Sequence, residues 1–285
     1  MEKTMPQFSI LIPTTGRSRL VRMAIESVLK QSFGDFEIVI ADSSGSKEMR
    51  GTAAEFNDAR IRYFHSPTTA GPLETWDYAA KQARGEYVLW LDDDNYLLPF
   101  TLKLFRESIR KTGAEIITAN HLYYYDSNHP RRFLRNSVGV VPFTGCERTI
   151  DLGGAIKAIF AFSRRSGGSR LPRFHYSATA VSQHVIERAI SRLGFVLFSD
   201  TPTSHSLQPI LFAFAKSCYF IDRPVAIIGR LGMSMSQVWS TAARARFKKN
   251  PFVPKLSPVT GYTRINTVLD TYLRIKNLLP ELFTN

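Results

Sequence analysis

The chain has 285 residues, 44% hydrophobic and 21% charged, the composition of an ordinary globular protein long enough to bury one large core or two small ones. No run approaches the roughly 18 apolar residues of a membrane span, and the start M-E-K-T-M-P-Q lacks the apolar core of a signal peptide. These features point to a protein that is soluble or held at a membrane from outside. A net charge of +13 favours a polyanionic partner, such as a nucleic acid, an anionic membrane surface or a phosphorylated substrate. Cys146 and Cys218 stand far apart without metal-ligand spacing, which predicts two reduced, buried thiols and a reducing, cytoplasmic compartment, with the inner face of the membrane as the surface to which the protein could be held.

Phe8 to Pro13, F-S-I-L-I-P, is a β-rich run stopped by proline, followed by the turn T-T-G-R-S. A helical pattern comes next, with Leu20, Met23, Ala24, Ser27, Val28 and Gln31 at spacings of three and four. In open α/β sheets the loop after the first strand is where ligands sit. Gly16 relaxes the backbone there, and Arg17 and Arg19 bring charge suited to phosphate or stand as solvated arginines at a helix start.

Phe36 to Ala41 reads as a second buried strand ending at Asp42-Ser43-Ser44-Gly45-Ser46. Asp42 stands where a doubly wound fold places an acid that bonds a nucleoside, although an N-cap reads equally well from these residues. Met49 to Ala59 is predicted helical, Ile61 to Phe64 a strand, and Glu74 to Arg84 a helix closed by Gly85 as a left-handed cap.

Tyr87 to Leu91 is a short apolar run that breaks directly into Asp92, Asp93 and Asp94. Crowded carboxylates raise one another's pKa, so they stay ionised only with a cation or several donors among them. Extended chain would turn Asp92 and Asp94 to one side and Asp93 to the other. That suits Mg²⁺ or Mn²⁺, which usually takes one or two protein carboxylates and completes its shell with water and substrate phosphates. An acidic turn capping the next helix is the alternative. Phe100 to Lys111 then reads as a helix and Ala114 to Ala119 as a strand, and such alternation predicts a mostly parallel sheet with helices on both faces.

The blocks F-S-I-L-I-P-T, A-I-E-S-V-L-K-Q-S-F, F-E-I-V-I-A-D-S-S and A-K-Q-A-R-G-E-Y-V-L-W-L-D-D-D, in this order and ending L-L-P, resemble the nucleotide-sugar domain of the family 2 glycosyltransferases with a GT-A fold. The resemblance covers roughly the first 120 residues. It implies a nucleoside-diphosphate sugar donor, with Asp42 bonding the nucleobase and Pro13, Thr14, Thr15 and Arg17 flanking it. It also implies that Asp92 and Asp94 are metal ligands, Asp94 the more direct, and that Asp93 and Trp76 lie with the donor-binding residues. Departures from the family pattern are Thr15 in place of an aromatic, Ser43 in place of a second acid, and Trp76-Asp77 in place of Arg-Asn.

Residues 1–120 are accordingly taken as the donor half, 121–237 as the acceptor half of the same domain, and 238–285 as a basic helical extension. Tyr123, Tyr124 and Tyr125 with Arg131, Arg132 and Arg135 form either an acceptor surface or a hairpin with alternating tyrosines. Ser163 to Arg170 reads as a loop, Phe174 to Val181 as a strand, Gln183 to Leu193 as a helix ended by Gly194, and Ile210 to Lys216 as helical. The acid that deprotonates the acceptor in similar proteins falls on Thr203, so the base is assigned to Asp200, with His205 as runner-up. The other histidines receive no role.

Tyr219 to Ile228 is predicted as a strand pair around Arg223-Pro224, followed by a loop from which Arg230 could reach a phosphate. The Q-x-x-R-W of processive synthases is absent, since V-W-S-T follows Gln237, which favours single transfers. Val238 to Lys255 reads as a basic amphipathic helix, packed or lying on anionic lipid, and Thr263 to Leu279 as a helix that packs on the domain or on a second copy of the chain. No nucleic-acid-binding motif accompanies the positive charge. The expected activity is metal-assisted, inverting transfer of a sugar to a saccharide or lipid-linked saccharide, and the competing expectation, motivated by Thr203, is an inactive nucleotide-sugar-binding protein.

Overall fold

The structure is a computed structural model that describes residues 5–66, 72–163, 165–166, 169–193, 204–232 and 264–283. Strands and helices alternate at first: β1 (Phe8–Thr14), α1 (Ser18–Leu29), β2 (Phe36–Asp42), α2 (Lys47–Ala54), β3 (Ile61–His65), α3 (Pro72–Gln82), β4 (Tyr87–Trp90), β5 (Tyr96–Leu97) and α4 (Thr101–Thr112). There follow β6 (Ile116–Tyr125), β7 (Ser137–Gly139), β8 (Glu147–Thr149), α5 (Leu152–Phe160), β9 (Arg165–Ser166), β10 (Ser169–Arg170), β11 (Thr179–Ser182), α6 (Gln183–Leu193), α7 (Ser204–Phe214), β12 (Cys218–Arg230) and α8 (Arg264–Leu278).

One sheet organises them in the order β3-β2-β1-β4-β11-β6-β12-β5, with β7 on β6 and β8 on β12. β1 to β4 pair in parallel, β11 is antiparallel to both β4 and β6, and β6 pairs in parallel with β12. Successive residues of the central strands face opposite sides, so both sides must be apolar. Ile10, Ile12, Ile38 and Ile40 pack under α1, α2 and α4, whereas Leu11, Val39, Ala41, Val88 and Trp90 pack under α3, α5, α6 and α7. That two-sided burial is why the strands read as unbroken hydrophobic runs.

Several boundaries differ from expectation. α2 ends at Ala54, before Asn57 takes a positive φ of 44°. α3 ends at Gln82, and Gly85 is not a left-handed cap. A Cβ at Gly85 would lie 2.6 Å from the Ser9 nitrogen, so close approach to β1 is what requires glycine. β6 runs on to Tyr125 and meets β7 as a hairpin, with Tyr124 exposed. Between Phe174 and Val181 a 3₁₀ turn (Tyr176–Ala178) precedes the short β11. β12 is one strand of 13 residues, because register shifts on either side of Pro224 absorb the proline. Cys218 is buried but Cys146 is exposed, correcting the expectation for that thiol. Gly194, residues 195–203 and the basic stretch 238–255 lie outside the described residues.

Candidate functional site

Parallel pairing puts the C-terminal ends of β1, β2 and β4 on one edge of the sheet. Thr14 is in register with Asp42, and Leu91 continues β4 by donating its N–H to the Leu11 carbonyl at 2.8 Å. The three aspartates follow at once. They form a turn, closed by Asn95 N–H to the Asp92 carbonyl at 2.9 Å, and not the extended run expected from the sequence. The turn still separates them, for Asp93 is 2% exposed while Asp92 and Asp94 are half-buried as residues, the Asp94 side chain itself being 7% exposed.

Asp93 faces inward and is tied to the first loop. Thr14 Oγ1 donates to Asp93 Oδ2 at 2.8 Å, Arg17 Nε donates to the same oxygen at 3.0 Å, and Arg17 Nη2 pairs with Oδ1. Arg17 Nη1 lies 3.8 Å from Asp94 Oδ2, so one guanidinium spans both carboxylates. Burial, with the charge of Asp94, pushes the Asp93 carboxyl up to about 6 against the pull of Arg17. Burial and then Asp94 raise Asp92 well above the usual carboxylate range.

A second set of residues grips Asp92. Tyr176 OH donates to Asp92 Oδ2 at 2.7 Å, and Asn95 Nδ2 approaches the same oxygen at 3.3 Å. Asn95 also donates to Ser177 Oγ at 2.8 Å and accepts from Gly229 N–H at 3.0 Å, joining the aspartate turn to the 3₁₀ turn and to β12. Glycine is required at 229, since a Cβ there would stand 2.2 Å from the Asp94 carbonyl oxygen. Trp76, from α3, meets Tyr176 edge-on at 4.5 Å and so contacts the Asp92 side of the site through that ring.

Asp42 is fully buried at the end of β2. Its Oδ1 accepts from Ser44 N–H at 2.8 Å and Ser44 Oγ at 2.7 Å, and its Oδ2 accepts from Tyr63 OH at 2.8 Å. Gly16, at φ 92°, lies against Ser44, where a Cβ would come within 2.7 Å. The loop after β1 therefore seats directly on the loop after β2, with Pro13 buried and Thr15 exposed.

Arg230 closes β12 opposite Tyr125, its guanidinium 4.9 Å from the Tyr123 ring. Tyr123 OH and His121 Nε2 are 2.9 Å apart, His121 lies 5.3 Å from His175, and His175 lies 4.4 Å from Tyr176. This aromatic row runs from Arg230 back to Asp92. Burial, then the charges of Arg230 and Arg173, push His121 down to about 4, and His175 is driven well down by burial as well.

The structure thus gathers Thr14, Arg17, Asp42, Trp76, Asp92, Asp93 and Asp94 along one edge, with Arg230 joined to them through the aromatic row. Asp200 lies outside the described residues, and His205 falls in α7. Sequence reasoning missed Asn95, Tyr63, Tyr176, Gly229 and the two histidines of the row. Asn95 alone had a visible signal, as the residue completing D-D-D-N.

Among the described residues no group of three or more His, Cys, Asp or Glu is arranged to hold an ion. Asp92 and Asp94 offer hard oxygens on one turn, which fits Mg²⁺ or Mn²⁺ sharing its shell with phosphate and does not fit an all-protein cage. No helix among the described residues is long and apolar enough to cross a membrane.

Such a sheet, with its polar loops at the carboxyl edge, defines a GT-A α/β protein. The chain matches the profile of glycosyl transferase family 2 over residues 9–168 and belongs to that family. It is 34% identical over 105 residues to the putative colanic acid biosynthesis glycosyl transferase WcaA of Escherichia coli K12, an alignment covering 36% of this chain and 38% of that one. It is 31% identical over 132 residues to the GalNAc(5)-diNAcBac-PP-undecaprenol beta-1,3-glucosyltransferase of Campylobacter jejuni, covering 45% and 42%. The matched stretches thus span well under half of each relative. Among solved structures, Staphylococcus aureus TarS 1-349 in complex with UDP-GlcNAc superposes with a TM-score of 0.57 at 15% identity, covering 79% of this chain and 58% of that chain, a likeness of fold.

Proposed function

We propose that the protein is a glycosyltransferase that moves a sugar from a nucleoside-diphosphate donor to a hydroxyl of a saccharide or lipid-linked saccharide, in polysaccharide or glycoconjugate synthesis. The observation that carries this is the aspartate turn beside Asp42 at the carboxyl edge of the sheet, where Arg17 and Thr14 take up Asp93, and Asp92 and Asp94 flank it with their oxygens on the same turn. UDP and UDP-GlcNAc in the TarS structures and the undecaprenol-linked substrate in the name of the Campylobacter relative support the same classes of donor and acceptor.

In this reading Asp92 and Asp94 hold a divalent ion, Mn²⁺ or Mg²⁺. Such an ion, when bound, neutralises charge on the diphosphate leaving group. Asp42 receives the nucleobase: it is fully buried with Ser44 and Tyr63 on its oxygens, so a nucleobase N–H would take the place of one of these donors. Pro13, Thr14 and Thr15 shape the wall beside the base, Arg17 and Arg230 supply positive charge toward phosphate, and Trp76 backs the site through Tyr176. Inversion needs a single displacement with one base on the acceptor, a role assigned to Asp200 with His205 as the alternate.

The test is incubation of the chain with a panel of nucleotide sugars, with and without Mn²⁺. Metal-dependent release of one nucleoside diphosphate, abolished in Asp94→Ala, is expected. Nucleotide binding without turnover of any donor would favour the non-catalytic binding protein suggested by Thr203. Unchanged turnover in Asp94→Ala would remove that aspartate from the site.

A further inference from the structure

Tyr176 belongs to no motif, yet it is the one side chain of the 3₁₀ turn that reaches the aspartates. Its ring is held on two sides, edge-on to Trp76 at 87° and 4.5 Å and tilted against His175 at 42° and 4.4 Å. A ring fixed this way leaves its hydroxyl one direction, and it donates to Asp92 Oδ2 at 2.7 Å across 84 positions of sequence. The next residue reinforces the arrangement, since Ser177 Oγ accepts from Asn95 Nδ2, which also approaches Asp92 Oδ2. Gly229 N–H holds the far end of the Asn95 amide. Both donors act on the same carboxylate oxygen, so Oδ2 is turned into the protein.

We propose that Tyr176 is a positioning residue that, with Asn95, fixes Asp92 so that Oδ1 alone is offered to the divalent ion. This rests on the metal reading given above and deepens it. A ligand carboxylate gains from such partners because they remove the rotational freedom it would otherwise lose on binding the ion, and their loss typically costs 10- to 100-fold in metal affinity. It also gives Trp76 a task other than touching the donor. The indole braces the phenol that braces the carboxylate.

The experiment is titration calorimetry of Mn²⁺ into the UDP-saturated chain, beside titration of UDP without metal, for wild type and Tyr176→Phe. Phenylalanine keeps both ring contacts and removes only the hydroxyl, so the fold is retained. The expected result is a Mn²⁺ dissociation constant about tenfold higher with metal-free UDP affinity unchanged. Trp76→Leu, which frees the ring, should move Mn²⁺ affinity in the same direction by a smaller factor. Equal Mn²⁺ affinity in wild type and Tyr176→Phe overturns the proposal. So does an equal fall in Mn²⁺ and metal-free UDP affinity, which would mean a general loosening of the loop. Either result leaves the metal reading standing, whereas a wild-type chain that binds UDP but no Mn²⁺ overturns both.

Discussion

Replacing Arg17 by Met removes the cation that pairs with Asp93 among the described residues while keeping an unbranched apolar stem, and its cost should depend on pH in a defined direction. Asp93 is 2% exposed and its carboxyl is pushed up to about 6, against 3.8 ordinarily. The native chain therefore holds a proton there that the unfolded chain has already lost, and stability falls as pH rises from 3.8 to about 6, then levels off. Without the guanidinium, which pulls the Asp93 pKa down, burial and Asp94 drive it further up. The variant then continues to lose stability above pH 6, where wild type has levelled off. Its deficit relative to wild type should grow between pH 6 and pH 8, toward the ~3–5 kcal/mol typical of a broken buried pair. Urea unfolding followed by tryptophan fluorescence at the two pH values reads this difference directly. Adding Asp93→Asn to Arg17→Met should flatten the growth, because Asn carries no proton to exchange. A deficit equal at pH 6 and pH 8 would refute the assignment of Asp93 as a buried, Arg17-dependent carboxylate.

Gly229→Ala should destabilise by roughly 1–3 kcal/mol and weaken Mn²⁺-dependent nucleotide binding, since the new methyl would stand 2.2 Å from the Asp94 carbonyl; denaturant melts and nucleotide titration check both. Tyr63→Phe removes one donor from Asp42 Oδ2 and should alter nucleotide affinity without changing Mn²⁺ affinity in the bound complex. In the native chain a thiol reagent should modify Cys146 quickly and Cys218 only on unfolding, because burial both shields Cys218 and pushes its pKa up; equal rates would contradict the packing. His121, down at about 4 when folded, lowers stability as pH falls from 6.5, where the unfolded imidazole begins to take a proton the native one refuses. That loss approaches about 3 kcal/mol near pH 4, and His121→Gln should show a shallower acid limb in the same melts.

The parallel half was legible because each strand is buried on both faces, so Phe8–Thr14, Phe36–Asp42 and Tyr87–Trp90 appear as uninterrupted apolar runs. The aspartates were legible for the opposite reason: three charges at the end of such a run have no packing explanation. What the pattern could not show was contact made across long sequence separations. F-H-Y-S-A-T-A-V looks like one extended strand, and only the 3₁₀ turn aims Tyr176 at Asp92. Pro224 suggested a break between two strands, yet a bulge lets β12 carry on past it to Gly229 and Arg230. Gly85 was assigned to a helix cap when its neighbour in space, Ser9, was the reason for glycine. Trp76 stands out in sequence because it replaces a family residue, but nothing there announces that its ring meets Tyr176, 100 positions away.

The most direct test of the proposed site is anomalous diffraction from crystals of the chain grown with Mn²⁺ and UDP. The expected result is one strong manganese peak in direct contact with carboxylate oxygens of Asp94 and Asp92, beside the diphosphate, with the base at Asp42. A nucleotide bound at Asp42 with no metal at the aspartate turn, or manganese bound elsewhere, would contradict it.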